Sequence, residues 1–441
     1  MNKKRTSLGL RLLGPLVLTW SATASAQVPV QCPDGLPKGV SCYNGQAESG
    51  AYFLIGIPKK WNGILLLFNR GGLSAAPRPL TLADDLGLAY SRSVMLDGVA
   101  VAASGFRPAF TPRTGAEDTE VLRRLFVNNF GQPRRTIVYG GSYGGLVTAK
   151  VAELYGLSSE GSVQYDGALP QCGIMAGDRR RGYYWLDMRV VYQYYCRNHP
   201  LPNEPQYPLW QGLPPDSTLT SDELRDRVND CTGILVPPNQ RTEAQRQNLA
   251  NILNITHIPI EHFLNLFNSA TFVWRDIVQR TGGGNPVTNL GVTYHGSTDD
   301  AALNRGVLRY ASDPEAVARL SEDADPSGRV AIPTLTMHGI GDMAVVEAEA
   351  VYREAFQQAG TLDYLLQTYT NTMIPHCGFS SAEYKAVFYA LLNWIEKGTR
   401  PTREEISAAC NRYSQAGEGE CRFNLTFQPN AFEGRFPVRA P

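Results

Sequence analysis

The stretch Arg135-Thr-Ile-Val-Tyr-Gly-Gly-Ser-Tyr-Gly-Gly-Leu-Val-Thr-Ala-Lys150 constrains this chain more than any other. A β-prone run over 136–139 meets glycines on both sides of Ser142, and a helix-like run over 146–155 follows. The pattern G-x-S-x-G therefore sits where a strand turns sharply into a helix. So tight a turn holds its serine in strained backbone, and its neighbours must be small for strand and helix to pass closely. A glycine-rich turn with an incidental serine would look the same over five residues, so the rest of the chain must supply the other parts of a site.

Strand-length apolar runs over 51–57, 63–68 and 98–103 precede the motif, with an amphipathic helix over 116–130 that Pro133 ends. A strand over 162–165, running into Asp166 and Gly167, is expected next. Alternation resumes with a strand over 330–338, a loop carrying Asp342, a helix over 345–358, a strand over 362–369, a loop carrying His376 and a helix over 382–397. Such alternation predicts an α/β fold: a mostly parallel sheet covered by helices. Residues 27–171 and 329–400 form its two parts. Residues 172–328 break the pattern with proline clusters, helix-like stretches and many aromatics (Tyr183, Tyr184, Trp185, Tyr192, Tyr194, Tyr195, Tyr207, Trp210, Phe263, Phe267, Phe272, Trp274), and read as an inserted, largely helical cap. Residues 27–50 are turn-rich and 401–441 irregular, and both are expected to lie over the surface.

A serine hydroxyl is a poor nucleophile unless a base takes its proton, and the base needs an orienting group. Asp342 follows one late strand and His376 the next, so the candidates run Ser142, Asp342, His376 along the chain. Of the six histidines, His199, His257, His262 and His295 fall in the cap, and His338 lies on the strand before the acid, where packing suits it better. Asp166 is the rival orienting acid, and Asp342 has the alternative of capping the following helix. An acyl-transfer site also needs donors for a tetrahedral oxyanion. The Tyr143 N–H supplies one, and Gly71 or Gly72, in the loop Asn69-Arg70-Gly71-Gly72, the second. Arg70 could hold a substrate carboxylate there, although an outward-pointing or salt-bridged arginine is the simpler expectation.

The 41 basic and 41 acidic residues cancel, which removes any electrostatic case for nucleic acid or an anionic surface. Asn2-Lys3-Lys4-Arg5, the apolar stretch over 8–20 and Ala24-Ser25-Ala26 read as an export signal, residues 1–26, with the mature chain beginning near Gln27 and no membrane anchor after its removal. All eight cysteines lie beyond it, which favours disulfides over metal ligation. Cys32–Cys42 and Cys410–Cys421 are the close pairs. Cys172, Cys196, Cys231 and Cys377 allow three pairings, and spacing chooses none. No zinc-type spacing occurs, and neither a metal nor another cofactor is expected. The acidic groups Asp299-Asp300 and Glu322-Asp323-Ala-Asp325 read as solvated surface in preference to calcium ligands.

Taken together, these residues resemble the α/β-hydrolase superfamily over about 50–175 and 328–398. The resemblance implies Ser142 as nucleophile, His376 as base and Asp342 as orienting acid. Within it, His376-Cys377 is similar to the His-Cys pair of tannases and feruloyl esterases, in which a disulfide ties the nucleophile and histidine loops together. Here Gly141, not a cysteine, precedes Ser142, so Cys377 needs another partner, and Cys172 is the candidate. Gly-Gly-Ser-Tyr-Gly-Gly is also similar to the elbow of secreted tripeptidyl and prolyl peptidases. The expected activity is ester hydrolysis of a small-molecule substrate with a bulky or aromatic moiety, since most cap aromatics pack a core and a few line the entrance. The alternatives are an exopeptidase, whose substrate amine Glu204, Asp222 or Glu223 would hold, and a catalytically silent binding protein.

Overall fold

Strand runs without polar alternation must be covered on both faces, and that requirement sets the architecture. The computed structural model describes residues 28–72, 88–372 and 375–434. The expected export signal, residues 1–26, lies outside them. Nine strands, β1 (Val28–Val30), β2 (Val40–Gln46), β3 (Tyr52–Pro58), β4 (Ile64–Asn69), β5 (Ala100–Ser104), β6 (Arg135–Gly141), β7 (Gly167–Gln171), β8 (Thr334–Gly339) and β9 (Leu365–Thr370), form one sheet in the order β1-β2-β3-β5-β4-β6-β7-β8-β9. The pairs among β1, β2, β3 and β5 are antiparallel, and from β5 through β4 to β9 every pair is parallel.

The helices are α1 (Leu88–Leu96), α2 (Pro112–Phe130), α3 (Tyr143–Tyr155), α4 (Gly177–Cys196), α5 (Ser221–Thr232), α6 (Glu243–Thr256), α7 (Ile260–Asn268), α8 (Trp274–Arg280), α9 (Asp300–Gly306), α10 (Pro314–Ala324), α11 (Ala348–Ala359), α12 (Ser381–Lys397) and α13 (Arg403–Gln415). Successive strand residues point to opposite faces. Leu65, Leu67 and Val138 accordingly join Leu122, Phe126 and Val147 of α2 and α3. Ile64, Leu66, Phe68 and Ile137 join Val94 of α1, Phe388 and Leu391 of α12, and Ile406 of α13. Each such leucine contributes roughly 1.5–3 kcal/mol by leaving water. Helices α4 to α10 all lie between β7 and β8, the stretch where the sequence loses its alternation.

Several boundaries differ from the expectation. Residues 162–165 do not form a strand: Gly161 turns at φ +80°, Ser158 and Ser162 bond to each other, and Val163 is exposed. The strand is instead Gly167-Ala-Leu-Pro-Gln171, whose glycine and proline disguise it. Gly167 is small because α12 packs on it; a Cβ there would lie 2.8 Å from Ile395 and 3.0 Å from Leu391. Strand β8 starts only after Pro333, which has no N–H to give a ladder. The turn-rich segment 27–50 contributes β1 and β2, and the supposedly irregular end contains α13, which buries Ile406 and Cys410 behind a Thr402–Glu405 capping box.

Candidate active site

Strand β6 delivers its chain end directly into α3, with Ser142 between them at φ 58°, ψ −126°. For a residue with a side chain this left-handed backbone costs roughly 1–3 kcal/mol and must be imposed by its surroundings. The glycines around it answer to contact more than to φ. A Cβ on Gly140 would lie 2.4 Å from the Gly144 carbonyl oxygen, and one on Gly144 would lie 2.1 Å from that of Asn69. Only hydrogen at these positions lets α3 start so close to β4. The Ser142 N–H is anchored to the Gln171 carbonyl oxygen of β7 at 3.0 Å.

Asp342 lies in the turn after β8 and is almost wholly buried. Its Oδ1 accepts from His376 Nδ1 at 2.5 Å and from the Ala344 N–H at 2.8 Å, and its Oδ2 accepts from the Cys377 N–H at 2.9 Å. Burial alone would raise this carboxyl, but the His376 hydrogen bond, the two nearby histidines and the Cys377 N–H outweigh it and hold the group below its ordinary value. The bond to Nδ1 leaves His376 Nε2 as the ring nitrogen able to serve a substrate or a hydroxyl. Ser142 and His376 line one cavity of about 190 Å³. An apolar cavity of about 150 Å³ takes a benzene ring, so this one has room for a group of that order.

Helix α3 begins at Tyr143, whose backbone N–H, like those of any first helical turn, has no intrahelical acceptor. Gly71 packs against the serine: a Cβ on it would lie 3.2 Å from Ser142 Cβ and 3.1 Å from the Gly141 carbonyl oxygen. Gly72, at φ +74°, lines the cavity. Arg70 neither reaches the cavity nor points outward. It is buried, donates to the Gly105 carbonyl oxygen from Nε (3.3 Å) and Nη2 (3.2 Å), and stacks over Phe106 and Phe110.

The rival acid is excluded by topology. With β7 starting at Gly167, Asp166 sits at the N-terminal end of the parallel strands, where it accepts from the Thr136 N–H and Arg135 Nη1, at the far end of β6 from Ser142. His338 is buried between Glu349 and the Ala344 carbonyl oxygen. Of the carboxylates considered for a substrate amine, Glu204 pairs with Arg227, and Asp222 and Glu223 occupy the exposed first turn of α5. The acidic groups near 300 and 325 are engaged too: Asp299 caps α9, Asp300 accepts from Ser297, Asp323 from Thr111, and Asp325 pairs with Arg179. Asp342, His376 and Cys377 lie within 4.8 Å of one another, the compactness of a metal site, but Cys377 is bonded to Cys172, which removes its thiolate. The other bridges are Cys32–Cys42, Cys196–Cys231 and Cys410–Cys421.

Half of the cavity wall comes from residues between β7 and β8. Tyr184 and Trp185 of α4 line it, whereas Tyr192, Phe263, Phe267 and Trp274 are buried in the core of that segment. Phe432, in the C-terminal segment, also reaches the cavity, and no periodicity in its irregular neighbourhood signals this. Arg181 is another lining residue that the sequence does not signal; it lies on α4 among arginines that look alike in sequence.

No protein-family model matches the chain. An o-phthalyl amidase from Xanthobacter agilis is 29% identical over 126 residues, which is 27% of this chain and only 25% of that relative's length. Among solved structures, feruloyl esterase B from Aspergillus oryzae matches over 86% of both chains at 14% identity with a TM-score of 0.39. An esterase of the bacterial hormone-sensitive lipase family covers 87% of this chain and 86% of its own at 11% identity, with a TM-score of 0.38. The chain's own strand order, its strand–serine–helix elbow between β6 and α3, and the loops after β8 and β9 that meet beside that elbow make it an α/β-hydrolase by fold.

Proposed function

We propose that the protein is an exported serine hydrolase that cleaves carboxylic esters bearing a bulky or aromatic moiety. The observation that carries the reading is the His376–Asp342 hydrogen bond at the rim of a cavity that Ser142 also lines. In this reading Ser142 Oγ attacks the ester carbonyl carbon while His376 Nε2 takes its proton. Asp342 holds the ring in the tautomer that leaves Nε2 free and stabilises the imidazolium that forms. The negative charge that develops on the carbonyl oxygen is met by the Tyr143 N–H and that of Gly71 or Gly72. His376 then passes the proton to the departing alcohol oxygen, and an acyl-Ser142 remains. Water, deprotonated by the same Nε2, attacks the acyl carbon; the bond to Ser142 Oγ breaks, the proton passes from Nε2 to that oxygen, and the acid leaves.

The mostly apolar lining, with Trp185, Tyr184 and Phe432, supports a bulky or aromatic group, and residues 172–328 act as the cap that supplies half of that wall. Esters are favoured over peptide amines because no carboxylate lines the cavity among the described residues. The pairing of every cysteine in the chain supports an oxidising destination. The test is labelling with a neutral fluorophosphonate, expected in the wild type and absent in Ser142→Ala, followed by rates on aryl esters and on amino-acyl amides. Labelling that persists in Ser142→Ala, or a labelled enzyme that hydrolyses amides and no ester, overturns the proposal.

A further inference from the structure

We propose that Arg181 reads the substrate, and that this substrate carries a carboxylate close to its scissile bond. The inference rests on the serine-hydrolase reading above and deepens it. Apart from His376, Arg181 is the one ionisable side chain with a basic group on the cavity wall among the described residues. Its neighbours are already committed: Arg179 pairs with Asp325 at 2.8 Å, and Lys150 with Glu153 and the Asp325 carbonyl oxygen.

Arg181 is held but not used up. Its Nη2 donates to Asp178 Oδ1, while Asp178 Oδ2 accepts from the Tyr143 hydroxyl at 2.9 Å. The guanidinium carbon lies over the rings of Trp185 (4.5 Å) and Tyr143 (5.4 Å). Asp178 is the single hydrogen-bond acceptor it has among the described residues, and its Nε is buried with no partner at all. A buried donor is costly to leave unmade, and a guanidinium matches a carboxylate better than it matches a neutral ester. An arginine pinned by one carboxylate, packed over two rings and lining a mostly apolar cavity is a preorganised receptor for a second carboxylate. The competing role, a staple between α4 and the elbow through Asp178 and Tyr143, would not sort substrates by charge.

Two matched ester pairs test this: mono-4-nitrophenyl adipate against 4-nitrophenyl hexanoate, and 4-carboxyphenyl acetate against phenyl acetate. The wild type is expected to favour one anionic ester over its neutral partner by about tenfold or more in kcat/KM. Arg181→Met should lower that ratio at least about tenfold, and Arg181→Lys should retain part of it. No preference in either pair, or an equal loss on both members in Arg181→Met, overturns the inference. Should Arg181→Met fail to fold, competitive inhibition of the wild type by benzoate and by benzamide decides: benzoate stronger by about tenfold supports it, and equal inhibition overturns it. Fluorophosphonate labelling runs alongside. A labelled enzyme blind to charge sinks the Arg181 role alone, whereas an unlabelled one sinks the reading beneath it.

Discussion

The Cys172–Cys377 bridge does two things that a double substitution to serine would separate. It joins residues 205 apart in sequence, so it removes a large loop from the unfolded ensemble. Chain-entropy arguments put that at about 5 kcal/mol, and the nested Cys196–Cys231 bridge, spanning 35, shortens the loop too little to change the figure. Its second effect is local. Both sulfurs lie 3.5 Å from the place a Cβ on Gly141 would take, so the bridge packs on the residue before Ser142 and is bonded into the residue after His376. Without it, the histidine loop keeps the Cys377 N–H bond to Asp342, at 2.9 Å, and the His376–Asp342 pair itself. A single hydrogen bond nets only about 1 kcal/mol, so the loop would sample displaced positions. Since a displacement of about 1 Å can cost about a hundredfold, Cys172→Ser/Cys377→Ser should lose about 3–5 kcal/mol in urea unfolding and about 10- to 100-fold in kcat/KM on an aryl ester. The fluorophosphonate labelling rate should fall with it. A fully active variant with the expected stability loss would refute the positioning argument, and an unmoved urea midpoint would refute the entropic one.

Asp342→Asn should lower kcat by about 10²- to 10⁴-fold, because an amide cannot satisfy the His376 ring and both N–H groups that the carboxylate now accepts from. The Asp342 carboxyl lies below its ordinary value in the folded chain, so its contribution is complete above the ordinary carboxylate range and is lost as pH falls through the folded value. Urea unfolding in acid should therefore fall less steeply in Asp342→Asn than in wild type. Asp323 has the opposite sign: burial, with Asp178 nearby, raises it to about 6, so the folded chain binds the extra proton and stability declines as pH rises from about 4 to about 6. Asp323→Asn keeps an acceptor for Thr111 and should gain up to about 3 kcal/mol at pH 8, with nothing gained at pH 3.5; an equal effect at both values would rule out the electrostatic cause.

The core of the fold was legible where strands carry only apolar residues, as Leu65, Leu66 and Leu67 do, because burial on both faces leaves no polar alternation to confuse. It was illegible where tertiary contact overrides local preference. Strand β7 reads poorly because Gly167 answers to α12, and the apolar Val163 beside it is merely exposed. Helix α13 is hard to see because its flanks are irregular, although Thr402 and Glu405 spell a capping box. Element ends also moved wherever a proline denies the ladder a donor, as at Pro333.

The candidate site divides along the same line. Ser142, Asp342 and His376 sit on or just after strand ends, and a parallel sheet carries all its strand ends to one edge, so order along the chain is enough to nominate them. The rival acid Asp166 shows the sensitivity of that logic: with β7 beginning at Gly167 rather than ending near Tyr165, the residue lies at the opposite end of the sheet from Ser142. Arg181, Asp178 and Phe432 follow no such rule. Arg181 and Phe432 reach the cavity from α4 and the C-terminal segment, with Asp178 behind Arg181, and the docking of those segments is decided by packing of many side chains rather than by any sheet register. The bridge falls between the two cases. Gly141 pairs with Gln171 across β6 and β7, so the residue after Gln171 is placed beside the one that precedes Ser142. A cysteine at 172 thus reaches the histidine loop from the neighbouring strand, leaving position 141 free to be glycine. What register controls, the sequence can announce; which side chains the helices between β7 and β8 turn to the cavity, Arg181 among them, it cannot.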